Sequence, residues 1–272
     1  MSQSYTSPPR FSIGLVNYKT LDLTKVCLTL LKQHLDSGAL AADRVDIWVV
    51  DNDSQDESTA YLRTLDWIHL IERSSPGKEQ GFAAHGEGLD LILTAIDTDY
   101  LFLMHTDTFI YDPAIFDRCL QRMQSRQNVV AIGCLHQLNR GHFRLAWRTF
   151  TGFLKYYTRR LKSVLGLPTR PPKPYIEPYI KSFFALWNTA CIKQHGYRFY
   201  MAQQIPGYVL QDKLSADGYV IERIAPARLF RYLDHVEAGT VGLVSGYNGK
   251  NRRLLRKQTL LQQLHIQQQE KS

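Results

Sequence analysis

Several features that assign a chain to common protein classes are missing from this sequence. No apolar run approaches the roughly 18–20 residues that a membrane-spanning helix requires. The polar segment 1–10 also lacks the apolar core of a signal peptide, so we expect a cytoplasmic protein. The four cysteines (Cys27, Cys119, Cys134 and Cys191) are far apart and form no Cys-x-x-Cys pair, which favours buried, reduced thiols.

Acidic residues are absent from a long internal segment. Residues 118–176 contain 12 basic residues and no acidic one, whereas residues 1–112 contain 17 acidic and 8 basic residues. The net charge of +8 for the 272 residues therefore hides two regions of opposite sign. Because like charges on one surface attract a partner of the opposite sign, this asymmetry predicts a basic working surface separate from the acidic half.

Short apolar runs alternate with helical patterns along the first half of the chain. The runs that predict strands are 11–16, 45–50, 68–71, 100–104 and 129–134. The segments between them have apolar residues at helical spacing, and this order predicts an α/β fold with a mostly parallel sheet. Further along, the pattern predicts a strand at 179–187, a helix at 208–217, a strand at 219–224 and an amphipathic helix at 252–267.

Two of the predicted strands end abruptly in acidic segments. The run 47–50 leads into Asp51, and the run 101–104 leads towards Asp107. The carboxyl ends of parallel strands meet at one edge of the sheet, where open α/β folds bind ligands. One end could hold a nucleoside and the other a divalent metal over its phosphates, because hard cations prefer oxygen ligands. The alternative for 51–54 is a helix-capping turn.

Four segments, taken in order, resemble the start of the inverting family 2 glycosyltransferases of the GT-A fold. They are 11–18, 48–58, 81–88 and 103–110. The third is similar to that family's Gly-Phe-Ala-x-x-Asn-x-Gly segment, and the fourth to its Asp-x-Asp region with the last acid alone retained. The resemblance covers residues 11–135 and, more loosely, 180–240. It implies a GT-A-like (Rossmann-like) sheet flanked by helices, a nucleotide diphospho-sugar donor and a divalent metal, Mn or Mg.

The resemblance also implies a set of site residues. Those expected to contact the nucleotide sugar are Asn17, Asp51, Asn52, Gly81, Phe82, Thr106 and Asp107. Asp107 is the expected metal ligand, with His105 in place of the family's first acid and His235 as a late histidine that reaches back to the metal or diphosphate. Imidazole ligands would favour manganese over magnesium. A structural role is the alternative for each histidine.

The catalytic base is less evident. An inverting transfer needs a carboxylate to deprotonate the acceptor hydroxyl. Related enzymes carry it at or just before the helix that precedes a Gly-Tyr pair, but residues 203–208 contain no acid here. Asp212, one turn further on, and Glu237 are the candidates, and a solvated helix residue is the alternative for Asp212. Phe184 and Trp187 could stack on an acceptor sugar or belong to the core.

The basic segment has its own pattern. On a helix, residues 143–165 form a broad apolar face bordered by arginine and lysine. Such a helix could lie peripherally in a membrane interface, which would place the protein at the inner face of the membrane, or it could pack over the sheet with its cations solvated. We expect no nucleic-acid partner, because no stacking-platform pattern accompanies the charge. The C-terminal helix could pair two subunits as a homodimer or cover an apolar face of its own chain.

The sequence therefore predicts five regions and one main activity. The regions are a tail (1–10), a nucleotide-sugar-binding half (11–138), a basic aromatic insertion (139–178), an acceptor-side half (179–248) and a C-terminal amphipathic helix (249–272). The predicted activity is metal-assisted transfer of a sugar from a nucleotide diphospho-sugar to a hydroxyl of a glycan or lipid-linked acceptor, with inversion. The alternative is a catalytically degenerate GT-A-like protein retained for binding or assembly, which the missing acid at 203–208 favours.

Overall fold

A computed structural model describes residues 9–74, 81–138, 141–172 and 174–236. The strands in these ranges are β1 (Phe11–Asn17), β2 (Val45–Asn52), β3 (His69–Arg73), β4 (Tyr100–His105), β5 (Thr108–Ile110), β6 (Val129–Gly133), β7 (Phe184–Asn188), β8 (Val220–Arg223) and β9 (Leu233–His235). The helices are α1 (Leu21–Asp36), α2 (Glu57–Arg63), α3 (Phe82–Ala95), α4 (Ala114–Gln124), α5 (His142–Val164), α6 (Thr189–Gln194), α7 (Tyr208–Ala216) and α8 (Pro226–Leu229).

Seven strands form one mixed sheet in the order β3-β2-β1-β4-β7-β6-β8. Strand β7 is antiparallel to β4 and β6, and the other neighbouring pairs are parallel. Strands β5 and β9 form a separate antiparallel pair. The predicted α/β fold with a mostly parallel sheet is therefore confirmed. The reversed direction of β7 and the short β5–β9 pair were not predicted.

The direction of β7 matters for the site. The parallel strands β1, β2 and β4 deliver their last residues, Asn17, Asn52 and His105, to the same edge of the sheet. Because β7 runs the other way, the residues just before it lie at that same edge. The backbone N–H of His105 donates a hydrogen bond to the carbonyl of Phe183 at 3.3 Å, which fixes this segment beside the end of β4.

Apolar side chains fill both faces of the sheet. On one face the rings of Phe11, Phe102, Phe116 and Phe184 pack with centroid separations between 4.8 and 5.9 Å. Trp187 lies on the other face, in the apolar cluster beneath α3, α6 and α7. Phe184 and Trp187 are 0% and 2% exposed, so neither ring presents a face on which a sugar could stack. The structure therefore replaces their expected acceptor role with core packing.

Other predicted features have mixed outcomes. The helix expected over 143–165 is present as α5, and the four cysteines are buried and unpaired, as expected. The segment 249–272, and with it the predicted C-terminal helix, lies outside the described residues, as does most of the tail 1–10. Within the described ranges, no helix is both long enough and apolar enough to cross a membrane.

Candidate metal centre and nucleotide pocket

Three ionisable side chains meet at the carboxyl edge of the sheet. His105 ends β4, Asp107 lies in the turn into β5, and His235 ends β9. Thr108 is paired with His235 in the β5–β9 ladder, so this short pairing brings the late histidine next to Asp107. One potential ligand atom from each of the three residues lies within 4.8 Å of the others. The predicted metal set is therefore gathered in one place.

The hydrogen bonding of His235 defines which nitrogen faces the cluster. Its Nδ1 lies 3.0 Å from the backbone carbonyl of Gln137. A carbonyl can only accept, so Nδ1 donates this hydrogen bond and Nε2 is the nitrogen that faces the cluster. Nε2 is buried 3.1 Å from Oδ1 of Asp107, yet it has no hydrogen-bond partner among the described residues. In the tautomer with its proton on Nδ1 alone, Nε2 has a lone pair to share with a cation that the Asp107 carboxylate also binds, so the pair fits a metal ligand set.

His105 completes the set from the other side. Its Nε2 is 2.9 Å from Oγ of Ser182, the residue placed here by the reversed β7. When Nε2 donates to that hydroxyl, Nδ1 retains its lone pair and faces Oδ1 of Asp107 at 3.8 Å. A backbone carbonyl and a serine hydroxyl thus orient the two imidazoles, which is the usual arrangement around metal-binding histidines. Two imidazoles and a carboxylate form a mixed nitrogen and oxygen ligand set that could hold a divalent cation.

The environment keeps the imidazoles of His105 and of the neighbouring His85 neutral. Burial lowers the pKa of His105 to about 3 and the pKa of His85 to about 4, and the Asp107 carboxylate opposes both shifts without cancelling them. Neutral imidazole is the form that binds a metal, because the protonated ring has no lone pair to offer.

His85 is a residue of this site that the sequence did not single out. It lies in the first turn of α3, and its ring stands edge-on to His105 with centroids 5.3 Å apart. Its buried Nε2 has no hydrogen-bond partner within the part of the chain that the structure describes. The sequence feature that could have indicated His85 is its place in the segment 81–88, which resembles a donor-binding segment of the family. The prediction from that segment named Gly81 and Phe82 instead.

Asn17 has an internal role. Its amide nitrogen donates to Oδ1 of Asp51 at 2.8 Å and to the hydroxyls of Ser54 and Ser58 at 3.2 and 2.9 Å. Its carbonyl oxygen accepts from the hydroxyls of Thr20 and Thr24 at 3.0 and 2.8 Å. The amide has two N–H groups and two lone pairs, so these five contacts, with one N–H shared, use its full capacity, and the residue is 0% exposed. Asn17 therefore holds β1, β2 and α2 together, and the direct nucleotide contact expected from the sequence is not available to it in this arrangement.

Asp51 forms the floor of a depression rather than a free carboxylate. Besides Asn17, it accepts hydrogen bonds from the hydroxyls of Ser54 at 2.6 Å and Thr59 at 2.7 Å. The depression above it has a volume of about 270 Å³ and is walled by polar side chains that include Arg63 and Arg73. The depression is large enough to receive part of a nucleoside, and the hydrogen bonds of Asp51 fix the residues at its floor.

The remaining predicted donor residues lie around this edge. Asn52 accepts a hydrogen bond from Arg73 at 2.9 Å, which draws it to the wall of the depression. Thr106 is buried, and its hydroxyl is 3.1 Å from that of Thr20, which links the metal cluster to the Asn17 network. Gly81 begins α3 with φ +70°, a value that glycine adopts without strain, and Phe82 is half exposed beside it.

The candidate bases have different surroundings. Asp212 is exposed on α7 and accepts a hydrogen bond from the Tyr179 hydroxyl at 2.9 Å. Next to it, the Tyr179 and Tyr208 rings stack with centroids 4.1 Å apart, and Lys181 bonds both the Tyr208 hydroxyl and Glu177. Glu177 is a carboxylate that the sequence prediction overlooked. Glu237 lies outside the described residues.

Comparisons with known proteins bear on the fold alone. No protein-family model and no curated protein matches the sequence. Among solved structures, the fold is similar to the mannosyltransferase PcManGT from Pyrobaculum calidifontis in complex with GDP-Man and Mn2+, with a TM-score of 0.56 and 14% identity over 80% of this chain and 55% of that chain. It is also similar to S. aureus TarS 1–349, with a TM-score of 0.50 and 12% identity over 86% of this chain and 63% of that chain.

The chain thus spans less than two thirds of the length of either structure. At these identities the similarity establishes the architecture, so the predicted GT-A-like α/β fold is confirmed.

Proposed function

We propose that this protein transfers a sugar from a nucleotide diphospho-sugar to a hydroxyl of a glycan or lipid-linked acceptor, with metal assistance and inversion. The observation that carries the proposal is the His105–Asp107–His235 cluster at the carboxyl edge of the sheet, where open α/β folds bind ligands. The depression above Asp51 lies at the same edge, at the end of the parallel strand β2, with β1 between it and β4. The similar mannosyltransferase structure holds GDP-Man and Mn2+, which supports the same ligand classes here.

The chain's own residues divide the work in this proposal. Asp107, His105 and His235 would hold the metal, and such an ion would neutralise the charge that develops on the diphosphate leaving group. The hydrogen bonds to the Gln137 carbonyl and the Ser182 hydroxyl would hold the two histidines in orientation. The depression above Asp51 would receive the nucleoside, and His85 would offer its unbonded nitrogen to an oxygen of the donor.

The transfer itself requires a base on the acceptor side. The acceptor oxygen would attack the anomeric carbon, the bond from that carbon to the diphosphate oxygen would break, and the hydroxyl proton would pass to a carboxylate. Asp212 is the proposed base, because it is the carboxylate nearest to the position, at or just before α7, where the glycosyltransferases that the sequence resembles carry this group. Glu177, beside Tyr208, is the carboxylate to test against it.

We expect Asp212→Asn to lower kcat by about a hundredfold or more, because general-base catalysis typically contributes that much. The donor-induced rise in melting temperature should be unchanged. Asp217→Asn is a matched control, because Asp217 lies at the other end of α7 and also accepts from a tyrosine hydroxyl, that of Tyr197, at 2.8 Å. Full activity in Asp212→Asn together with loss in Glu177→Gln would move the role to Glu177.

The donor is best identified through thermal stability. A ligand that binds the folded state at a hundredfold excess over its Kd adds about 2.7 kcal/mol, which raises the melting temperature of a chain this size by about 5–10 °C. We expect such a rise with sugars of one nucleotide class (UDP, GDP or dTDP) when manganese is present, and a much smaller rise with EDTA. No rise with any donor would contradict the proposal.

A degenerate binding protein is the second candidate, and one feature favours it. The loop 203–208 before α7 contains no acid, although related enzymes carry their base there. One experiment distinguishes the two candidate functions. Protein that a nucleotide-sugar donor stabilises is supplied with a panel of glycans and lipid-linked acceptors. Donor binding without release of nucleoside diphosphate to any acceptor supports the degenerate protein. Release with an anomeric product of inverted configuration, seen by NMR, supports the transferase.

A further inference from the structure

Helix α5 attaches to the rest of the protein along one side. Gly152 lies so close to Tyr175 that a Cβ at this position would be 3.1 Å from the tyrosine Cβ. The Tyr156 ring also meets Tyr175, with centroids 5.7 Å apart. Residues 152 and 156 are four apart, so they lie on the same face of the helix. This face is the one that α5 turns towards Tyr175 in the segment that follows it.

The opposite face of α5 is apolar and exposed. Six large apolar side chains lie within an arc of about 80° that is centred opposite Gly152, at 100° per residue. They are Phe143, Trp147, Phe150, Leu154, Tyr157 and Leu161, and they are between 47% and 84% exposed. We call these six residues the outer stripe. Soluble surfaces rarely present a contiguous patch of this kind without a partner.

Basic residues border the outer stripe. Arg144, Lys155 and Lys162 lie on one side of the stripe at helical spacing, and Arg160 lies on the other. There is no acidic residue anywhere in 118–176 that could pair with them. A row of exposed apolar side chains with cations on both sides matches a surface that is apolar inside and anionic at its boundary.

We propose that the outer stripe of α5 docks on an anionic phospholipid surface, with the helix lying parallel to it. The apolar rings would enter the acyl boundary, and the bordering cations would remain among the phosphates. The length of α5, about 35 Å, gives one continuous contact. A second copy of this chain is a poorer occupant, because pairing two such stripes would place like-charged borders against each other.

This docking does not depend on the proposed glycosyl transfer, since it uses none of the residues of the metal cluster. It is tested with full-length protein and sedimented vesicles of phosphatidylcholine, with and without 30% phosphatidylglycerol. We expect binding to the anionic vesicles, weakened by salt, and a blue shift in tryptophan fluorescence. The variant Trp147→Phe should bind but lose most of that shift, because the ring of Trp147 is 60% exposed in the stripe.

Two sets of variants separate the contributions. Trp147→Glu with Leu154→Glu should weaken partitioning by at least about tenfold, because burying one such side chain is worth that much. Arg144→Gln, Lys155→Gln and Lys162→Gln together should weaken it by roughly a hundredfold, at about fivefold per cation. Leu91→Glu is the matched control, since Leu91 is an exposed apolar residue on α3, and it should leave binding unchanged.

Three results would overturn the docking proposal. The first is equal binding to neutral and anionic vesicles, or binding that neither set of variants weakens. The second is a dimer in vesicle-free solution that the Trp147→Glu, Leu154→Glu variant converts to a monomer, which would assign the stripe to a second copy. The third is competition between single-stranded nucleic acid and the vesicles, together with unchanged binding of that nucleic acid to the Trp147→Glu, Leu154→Glu variant. This result would assign the cations to a nucleic-acid partner.

Discussion

Replacing Asp107 with asparagine should lower glycosyl transfer by about a thousandfold and remove the manganese-dependent rise in melting temperature. Asparagine keeps the shape of the side chain but loses the negative charge that the carboxylate contributes to the ligand set. Loss of metal charge at the leaving group is worth several kcal/mol in the transition state, and about 4 kcal/mol corresponds to a thousandfold in rate. Steady-state kinetics and melting curves over a manganese titration measure the two effects.

The structure offers a close control for Asp107. Asp234 lies in β9 beside His235, but it is exposed and accepts a hydrogen bond only from a local backbone N–H among the contacts described. Asp234→Asn should retain both activity and the manganese effect. The backbone carbonyl of Asp107 accepts from Val236 N–H at 2.9 Å, and this bond survives the substitution. An Asp107→Asn protein that still responds to manganese would contradict the assignment of the metal centre.

Replacing Asn17 with alanine should destabilise the protein by about 3 kcal/mol. The substitution removes five internal hydrogen-bond contacts, one of them to the buried Asp51 carboxylate, although each partner keeps at least one other described hydrogen bond. A hydrogen bond contributes about 0.5–1.5 kcal/mol and one to a charged group about 1.5–3 kcal/mol, and water entering the small cavity recovers part of this. Urea unfolding at an unchanged m-value measures the loss.

Asn52→Ala provides the comparison, because Asn52 is at the same edge of the sheet and accepts one described hydrogen bond, from Arg73. We expect its cost to stay within about 1 kcal/mol. The pair of variants also distinguishes the two roles considered for Asn17. If Asn17→Ala kept its stability but lost affinity for the nucleotide, the direct contact first expected from the sequence would be correct and the internal role wrong.

The metal cluster shows that a short pair of strands can determine which side chains meet at a site. The β5–β9 pair contains three residues in each strand, yet it places His235 against Asp107. The carbonyl of Gln137 then selects the tautomer of His235. A substitution that weakens this pair should therefore impair metal binding without touching a ligand.

By itself, the sequence determined the alternation of strands and helices, the parallel half of the sheet and the positions of Asp51 and Asp107 at strand ends. These features depend on the spacing of apolar residues within each segment and on the order of strands and helices, and both can be read from residues that are close in the chain. It also determined that α5 is a basic amphipathic helix, because the positions of the apolar residues fix its period.

Only the tertiary structure decided which of the candidate residues face one another. The reversal of β7 brings Ser182 to His105 and buries Phe184 and Trp187, and the packing of Tyr175 turns the outer stripe of α5 away from the protein. Each of these outcomes depends on contacts between segments remote in the chain. Their register follows from the packing of the whole core, so no local pattern of residues could have specified it.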